Sequence, residues 1–340
     1  MGCSPGNQSR DLLHLPQGLS SVVELHLYTV TVTGSSPVVP ILLHMHITAI
    51  VPVFNEARML PFFLDYYTTF CDYIVVYDGS STDGSRDVVV DYMNRGLSCE
   101  IELRVNRTVG TLDVYNESYA KCPNLSLHYV RTHGWRSLFP AIEGIMEWVL
   151  VVDCDEFVWH PDGVRNKLAS YRAQGISFPS PSNIQMMAKS FPTYTGQKLV
   201  DTVTQGYIDW SVEGVKRLAF DTSIKKNYNF KEFGYIVAGE NTYDSEPIID
   251  RLKVLHYPKL GFDFYKERTK TKGHRLSEDN KKFGLSYHYA KEMDTTEADF
   301  EALFSHPGFV SNIHDSSIYP SFSNFPHEVR VRPTNSVFIN

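Results

Sequence analysis

Asp153 and Asp155 flank Cys154 directly after an apolar run, Trp148–Val152, and Glu156 follows. Carboxylates this close repel one another and are costly to bury unpaired, so the cluster needs open water or a cation. In extended backbone, residues i and i+2 point the same way. That turns Asp153 and Asp155 toward one hard cation, Mn²⁺ or Mg²⁺, which takes one or two carboxylates and completes its shell with water and substrate phosphates. Such a metal neutralises a leaving diphosphate. A solvated acidic turn is the plain alternative; the strand before the cluster and two further polar strand ends favour the metal. Glu156, pointing the other way, is expected to be structural, with a basic partner such as an Arg.

Those further strand ends carry their own chemistry. Asp78 and Asp83 bracket the turn "DGSSTDG". A carboxylate at a strand end can accept from a base or from ribose hydroxyls, and the N–H groups of the following helix start suit phosphates. Asp83 can equally cap that helix. Glu56, just past the first strand, is either a ligand contact or an acidic residue at a helix N-terminus. Later, His256, Lys266, Arg268, Lys270, Lys272, His274 and Arg275 crowd into twenty residues, a concentration able to bind donor phosphates or to form a solvated basic helix face. His256, after the apolar "LKVL", is a third metal ligand, a phosphate contact or a satisfied core histidine.

The elements that must position these groups follow from periodicity. Ile47–Phe54 reads as a buried strand, and apolar residues from Met59 to Phe70 recur at helical spacing. Tyr73–Tyr77 is a second strand, the segment holding Val88, Val89, Tyr92 and Met93 a second helix, Cys99–Val105 a third strand and about Trp135–Met146 a further helix leading into Trp148–Val152. This alternation predicts a mostly parallel sheet flanked by helices, an α/β fold in one large domain. Ligands then gather outside the carboxyl ends of the strands, where "VFNE", "YDGSSTD" and "DCDEF" share one rim. Beyond Phe157 come a strand and loop around "SFPSPSNIQMMAKSFPT", then a short strand and helices from residue 250.

The chain has 340 residues, 42% hydrophobic and 21% charged, enough for a sizeable core. Its net charge of -7 argues against nucleic-acid binding, which wants a basic face. Five cysteines without a CxxC pair form neither a disulfide framework nor a zinc site. Sequons at Asn7, Asn106, Asn116 and Asn124 carry little weight without a signal peptide, and no apolar run reaches the roughly 18 residues of a membrane span. "MGCSPG" has Gly6 where a myristoylation signal wants Ser or Thr. The expected location is cytoplasmic or peripheral to a membrane. Residues 1–45 are expected to be an N-terminal extension, such that a chain beginning at Met45 still folds.

"ITAIVPVFNEARML", "IVVYDGSSTDGS" and "WVLVVDCDEFVWH", in this order, resemble the motifs of GT-A glycosyltransferases, in particular the family 2-like group with VPxYNE, DDGSTDGT and D-x-D. The likeness covers residues 46–160, and D-x-DEF followed by His160-Pro161-Asp162 looks like a less studied branch. It implies a nucleotide-sugar-binding half over 46–160, an acceptor-binding half with C-terminal helices over 161–300 and an irregular tail over 301–340. It further implies a UDP- or GDP-sugar donor held by Pro52, Phe54, Glu56, Asp78, Asp83, Asp153 and Arg275, with Asp78 reading the base. Mn²⁺ or Mg²⁺ would sit on Asp153, Asp155 and His256. Gly79 departs from the second Asp of the usual turn, and Tyr77 is bulky enough to stack on a base. Family 2-like enzymes invert the anomeric centre with an acidic base after the D-x-D. Glu240, in the small-residue turn "VAGEN", is preferred, with Glu213, Asp244, Glu246 and Asp250 as alternatives. The acceptor would be a glycan, a lipid-linked sugar or a protein. A nucleotidyltransferase would want a Gly-rich basic loop after the first strand, absent from "VFNEARML"; a non-catalytic nucleotide- or sugar-binding protein would not need the D-x-D.

Overall fold

Runs of Ile, Val and Leu with no polar alternation suit strands covered on both faces. In the computed structural model they pair in parallel. The structure describes residues 45–105, 147–208, 218–223, 230–231, 235–236, 250–274, 289, 292–306 and 308–315. The first sheet contains β1 (Ile47–Val53), β2 (Tyr73–Asp78), β3 (Glu100–Val105), β4 (Trp148–Val151) and β8 (Ala219–Asp221), in the order β3-β2-β1-β4-β8. Its first four strands are parallel, and β8 closes the edge antiparallel to β4. Helices α1 (Leu60–Tyr67) and α2 (Ser85–Met93) link β1 to β2 and β2 to β3. The mostly parallel sheet flanked by helices is thus present, and its carboxyl ends do share one rim.

The chain leaves this sheet where its residues dictate. Val152 N–H donates to the Ile50 carbonyl at 3.0 Å. The next bond of a regular parallel ladder would need an N–H from residue 52, and Pro52 has none. The β1–β4 pairing ends at Ile50↔Val151. Residues 152–155 turn, and β5 (Glu156–Trp159) enters a second sheet.

That second sheet adds β6 (Ser182–Ala188), β7 (Gly206–Ile208), β11 (Lys253–Leu260) and β12 (Phe309–Val310), in the order β12-β7-β6-β11-β5. Only β6–β11 is parallel; the other pairs run antiparallel. A two-stranded ribbon, β9 (Phe230–Lys231) and β10 (Tyr235–Ile236), stands apart from both sheets. Further helices are α3 (Val164–Ala173), α4 (Leu199–Thr202), α5 (Phe262–His274) and α6 (Glu297–Ala302). Residues 301–315 are not an irregular tail. Among the described ones a helix end, a 3₁₀ turn and β12 follow one another, and Val310 and Ile313 are fully buried.

Helix α1 joins the two sheets. Phe63 stacks on Tyr67 with ring centroids 4.2 Å apart, and Phe157 of β5 meets Tyr257 of β11 at 5.1 Å. The hydroxyls of Tyr66 and Tyr67 donate to the carbonyls of Val158 and Glu156, both at 2.7 Å, and the Tyr67 hydroxyl accepts the Val158 N–H at 3.1 Å.

Candidate functional site

Two loops on the rim are stitched together. Asn55 N–H donates to the Ser81 hydroxyl (2.9 Å), Thr82 N–H to the Asn55 side-chain carbonyl (2.8 Å), Glu56 N–H to the Ser85 hydroxyl (2.9 Å) and Ala57 N–H to Asp83 (2.9 Å). Asn55 (φ 53°) and Ser80 (φ 71°), both non-glycine, take left-handed backbone here. Such conformations persist where surrounding bonds enforce them, and they concentrate at functional sites. Asp83 accepts from Ser85 N–H (3.0 Å) just outside the Gly84 N-cap of α2 and, through Ala57 N–H, holds the neighbouring loop.

Asp78 closes β2, buried at 1% exposure. Its carboxylate accepts from Ser81 N–H at 3.1 Å and from Arg86 of α2. Sequence reasoning misses Arg86, although it stands only three residues beyond Asp83. Tyr77 beside it receives a hydrogen bond from Arg104 at 3.1 Å. Pro52 is buried within β1, and Phe54 is half-buried at the start of the stitched loop.

The D-x-D region differs from the extended pair expected. Because the ladder stops at Pro52, Asp153–Asp155 form a turn rather than a strand, and the i, i+2 alternation does not apply. Asp153 is half-buried, and its N–H donates to Glu156 Oε2 at 2.9 Å. Glu156 thus accepts from the turn's backbone, and the guanidinium of Arg268 lies on Asp155. Asp155 is fully buried. Its Oδ2 accepts from Arg268 Nη1 of α5 and from His256 Nε2 of β11, the latter at 3.1 Å. Arg268 also donates through Nε (3.0 Å) and Nη2 to Glu56 Oε1. His256 Nδ1 faces Gln185 Oε1 at 3.1 Å, an amide that can turn over to serve either state of the ring. One chain of polar contacts thus runs Gln185–His256–Asp155–Arg268–Glu56.

The register explains the meeting. β11 pairs antiparallel with β5 so that His256 lies opposite Glu156, next to the turn. Gly261, at φ +87° with Ser190 and Phe191 backbone packed against it, turns the chain from β11 into α5. Lys272, one helical turn after Arg268, adds a second cation in the field of Asp155 and Glu56, its ammonium donating to the Tyr289 hydroxyl at 3.3 Å.

These charges set each other's protonation. Burial alone would raise the Asp155 carboxyl, but Arg268, His256 and Lys272 hold it well below the usual carboxylate range. Glu56 is raised, because burial outweighs the attraction of Arg268 and the Asp155 charge adds to it. Burial works against the Arg268 charge, yet Asp155 and Glu56 hold it more firmly protonated. Cys154, enclosed between the aspartates, is pushed far up by burial.

A divalent cation does not fit this arrangement. The Asp155 oxygen that should bind it is occupied by a guanidinium and an imidazole, and His256 is spent on the same oxygen. Among the described residues no group of three or more His, Cys, Asp or Glu side chains is placed to hold a metal ion. Asp155 Oδ1 is buried without a hydrogen-bond partner, but one enclosed oxygen is far short of the oxygen shell that Mg²⁺ demands.

Of the candidate bases only Asp250 is described. It is exposed, beyond the end of β11 away from His256, with its backbone carbonyl 3.2 Å from His160 Nε2. Glu213, Glu240, Asp244, Glu246 and Arg275, with the expected helix at Trp135–Met146, lie outside the described residues.

The strand order and the carboxylate turn at the head of the second sheet define an α/β fold whose first sheet is mostly parallel and opens at its carboxyl rim. No protein-family model and no curated protein matches the chain. Among solved structures it is similar to glucosyl-3-phosphoglycerate synthase from Mycobacterium tuberculosis, in complex with Mn²⁺, UDP-glucose and phosphoglyceric acid: 14% identity over 41% of this chain and 44% of that one, with a TM-score of 0.26. It is also similar to a mannosyltransferase from Pyrobaculum calidifontis in complex with GDP-mannose and Mn²⁺, 14% identical over 82% and 74%, with a TM-score of 0.31. The chain spans less than half the length of the first. Likenesses this distant carry no argument about chemistry, which rests on the site itself.

Proposed function

We propose that the chain is a glycosyltransferase that moves a sugar from a nucleoside-diphosphate donor, UDP- or GDP-linked, to a hydroxyl of a glycan, lipid-linked or protein acceptor. The observation carrying this reading is the juxtaposition on one rim of the buried carboxylate Asp78, in its stitched loops, and the Asp155–Arg268–Glu56 cluster. Asp78 is suited to the base or ribose. The cluster is suited to the far end of the donor, where charge develops on the diphosphate. Sugar transfer breaks the bond between C1 and the diphosphate oxygen and forms one from C1 to the acceptor oxygen, whose proton passes to a carboxylate base. Inversion follows if attack comes from the face opposite the diphosphate. Glu240 and its acidic neighbours are the proposed bases. A nucleotidyltransferase has no support from the loop after β1, which lacks glycine and directs Glu56 at a guanidinium.

Thermal-shift titration with UDP, GDP and their common sugar conjugates tests this, since a ligand binding only the folded chain raises its melting temperature by mass action. One nucleotide class should stabilise the chain, and Asp78→Asn should weaken that binding about tenfold by removing a charged acceptor. Stabilisation by none of them would overturn the reading. A nucleotide sugar that binds without hydrolysis or transfer would mark a binding protein instead.

A further inference from the structure

We infer that Arg268 and Lys272 of α5, rather than a divalent cation, supply the positive charge that receives the donor's diphosphate. This rests on the nucleotide-sugar reading above and departs from the metal dependence that the D-x-D implies.

Three observations carry it. First, Arg268 already lies on the Asp155 oxygen where a metal would bind, and it ties in Glu56 as well. A divalent ion brought there would meet a guanidinium in a nearly water-free setting, where like charges repel strongly. Second, Arg268 is not used up. Its three bonds engage one N–H on each nitrogen, which leaves donors on Nη1 and Nη2, and 11% of the side chain is open. Guanidinium matches phosphate oxygens in a planar, two-pronged way that an ammonium cannot. Third, Lys272 stands four residues on along the same helix, bonded to the Tyr289 hydroxyl at 3.3 Å and in the field of the same two carboxylates. Asp155 and Glu56 then aim the guanidinium at the rim and keep it protonated, so Asp155 is a positioning residue rather than a metal ligand.

Calorimetric titration of the full chain with UDP and with GDP, in Mn²⁺ and in EDTA, tests this. The expected result is an affinity that EDTA changes by less than about threefold, while Arg268→Lys weakens it roughly tenfold through loss of the two-pronged contact and Lys272→Gln weakens it severalfold. Both variants leave the fold's apolar contacts intact, and a melting curve verifies each. A tenfold or greater loss in EDTA, restored by Mn²⁺, would overturn the inference while leaving the nucleotide reading in place. Unchanged affinity in both folded variants would also overturn it. Absence of UDP and GDP binding in either buffer removes the nucleotide reading itself.

Discussion

Arg268 holds two buried carboxylates at once, so its removal acts on stability as well as on ligands. Arg268→Ala would strip Glu56 of its guanidinium and leave Asp155 with only His256 and Lys272, a cost of about 3 kcal/mol, readable as a lowered urea midpoint at neutral pH. The two carboxylates respond oppositely to acid. The folded pKa of Asp155 is depressed, so its contribution to stability is complete above the unfolded carboxylate value, about 4, and is lost as the pH falls through the folded value. Glu56 has a raised folded pKa, so folding favours its protonated form and its contribution shrinks as the pH rises through the interval between the unfolded and folded values. Asp155→Asn should therefore flatten the acid limb of a stability–pH curve below about pH 4; an unchanged limb would show that another carboxylate governs it. The identity of Asp155 as a special carboxylate is legible from its place after an apolar run. Its partner is not, because Arg268 lies 113 residues away and nothing local pairs the two. Turning Asp153 and Asp155 toward one cation assumes that strand alternation continues through 153–155, which the turn breaks.

At the scale of elements, β1, β2 and β4 are readable because strands buried on both faces are unbroken apolar runs. β5 and β8 are not: "EFVW" and "AFD" are too short for any periodicity and gain their places from partners far along the chain. The stop at Pro52 is written in the sequence, but its effect depends on which neighbour lacks a donor, and only the register tells that. The entry to α5 is comparably strict. A Cβ on Gly261 would stand 2.9 Å from the Ser190 Cα, in a left-handed residue. Gly261→Ala should cost about 3 kcal/mol and, by tilting α5, should weaken nucleotide binding more than its stability loss alone explains. Denaturation and calorimetry on the same sample separate the two effects.

For the molecule as a whole, the three described cysteines make a natural probe. Cys71, Cys99 and Cys154 are buried free thiols. Burial pushes Cys71 and Cys154 far above the ordinary thiol range and Cys99 up to about 12. At about pH 8, where an ordinary thiol is partly ionised, all three should resist a disulfide reagent in the native state and react together on unfolding, as peptide mapping of the labelled sites would show. Rapid native labelling of Cys99 with the others protected would instead point to local opening at β3. None of the helices among the described residues is long and apolar enough to cross a membrane.

The tyrosine hydroxyls of α1 have a consequence beyond cohesion. β5 is the outermost strand of its sheet, with β11 on one side only. An uncovered row of backbone donors and acceptors invites a strand from another molecule. Tyr66 and Tyr67 occupy the Glu156 carbonyl and both backbone groups of Val158, filling the positions where such a visitor would pair. Phenylalanine at both sites would keep the rings over the strand but strip the buried Glu156 carbonyl and both Val158 groups of these partners, at about 1–3 kcal/mol each, so the double variant should unfold at a clearly lower urea concentration. In this chain a pair of phenols on a helix stands in for the missing neighbour of an outermost strand.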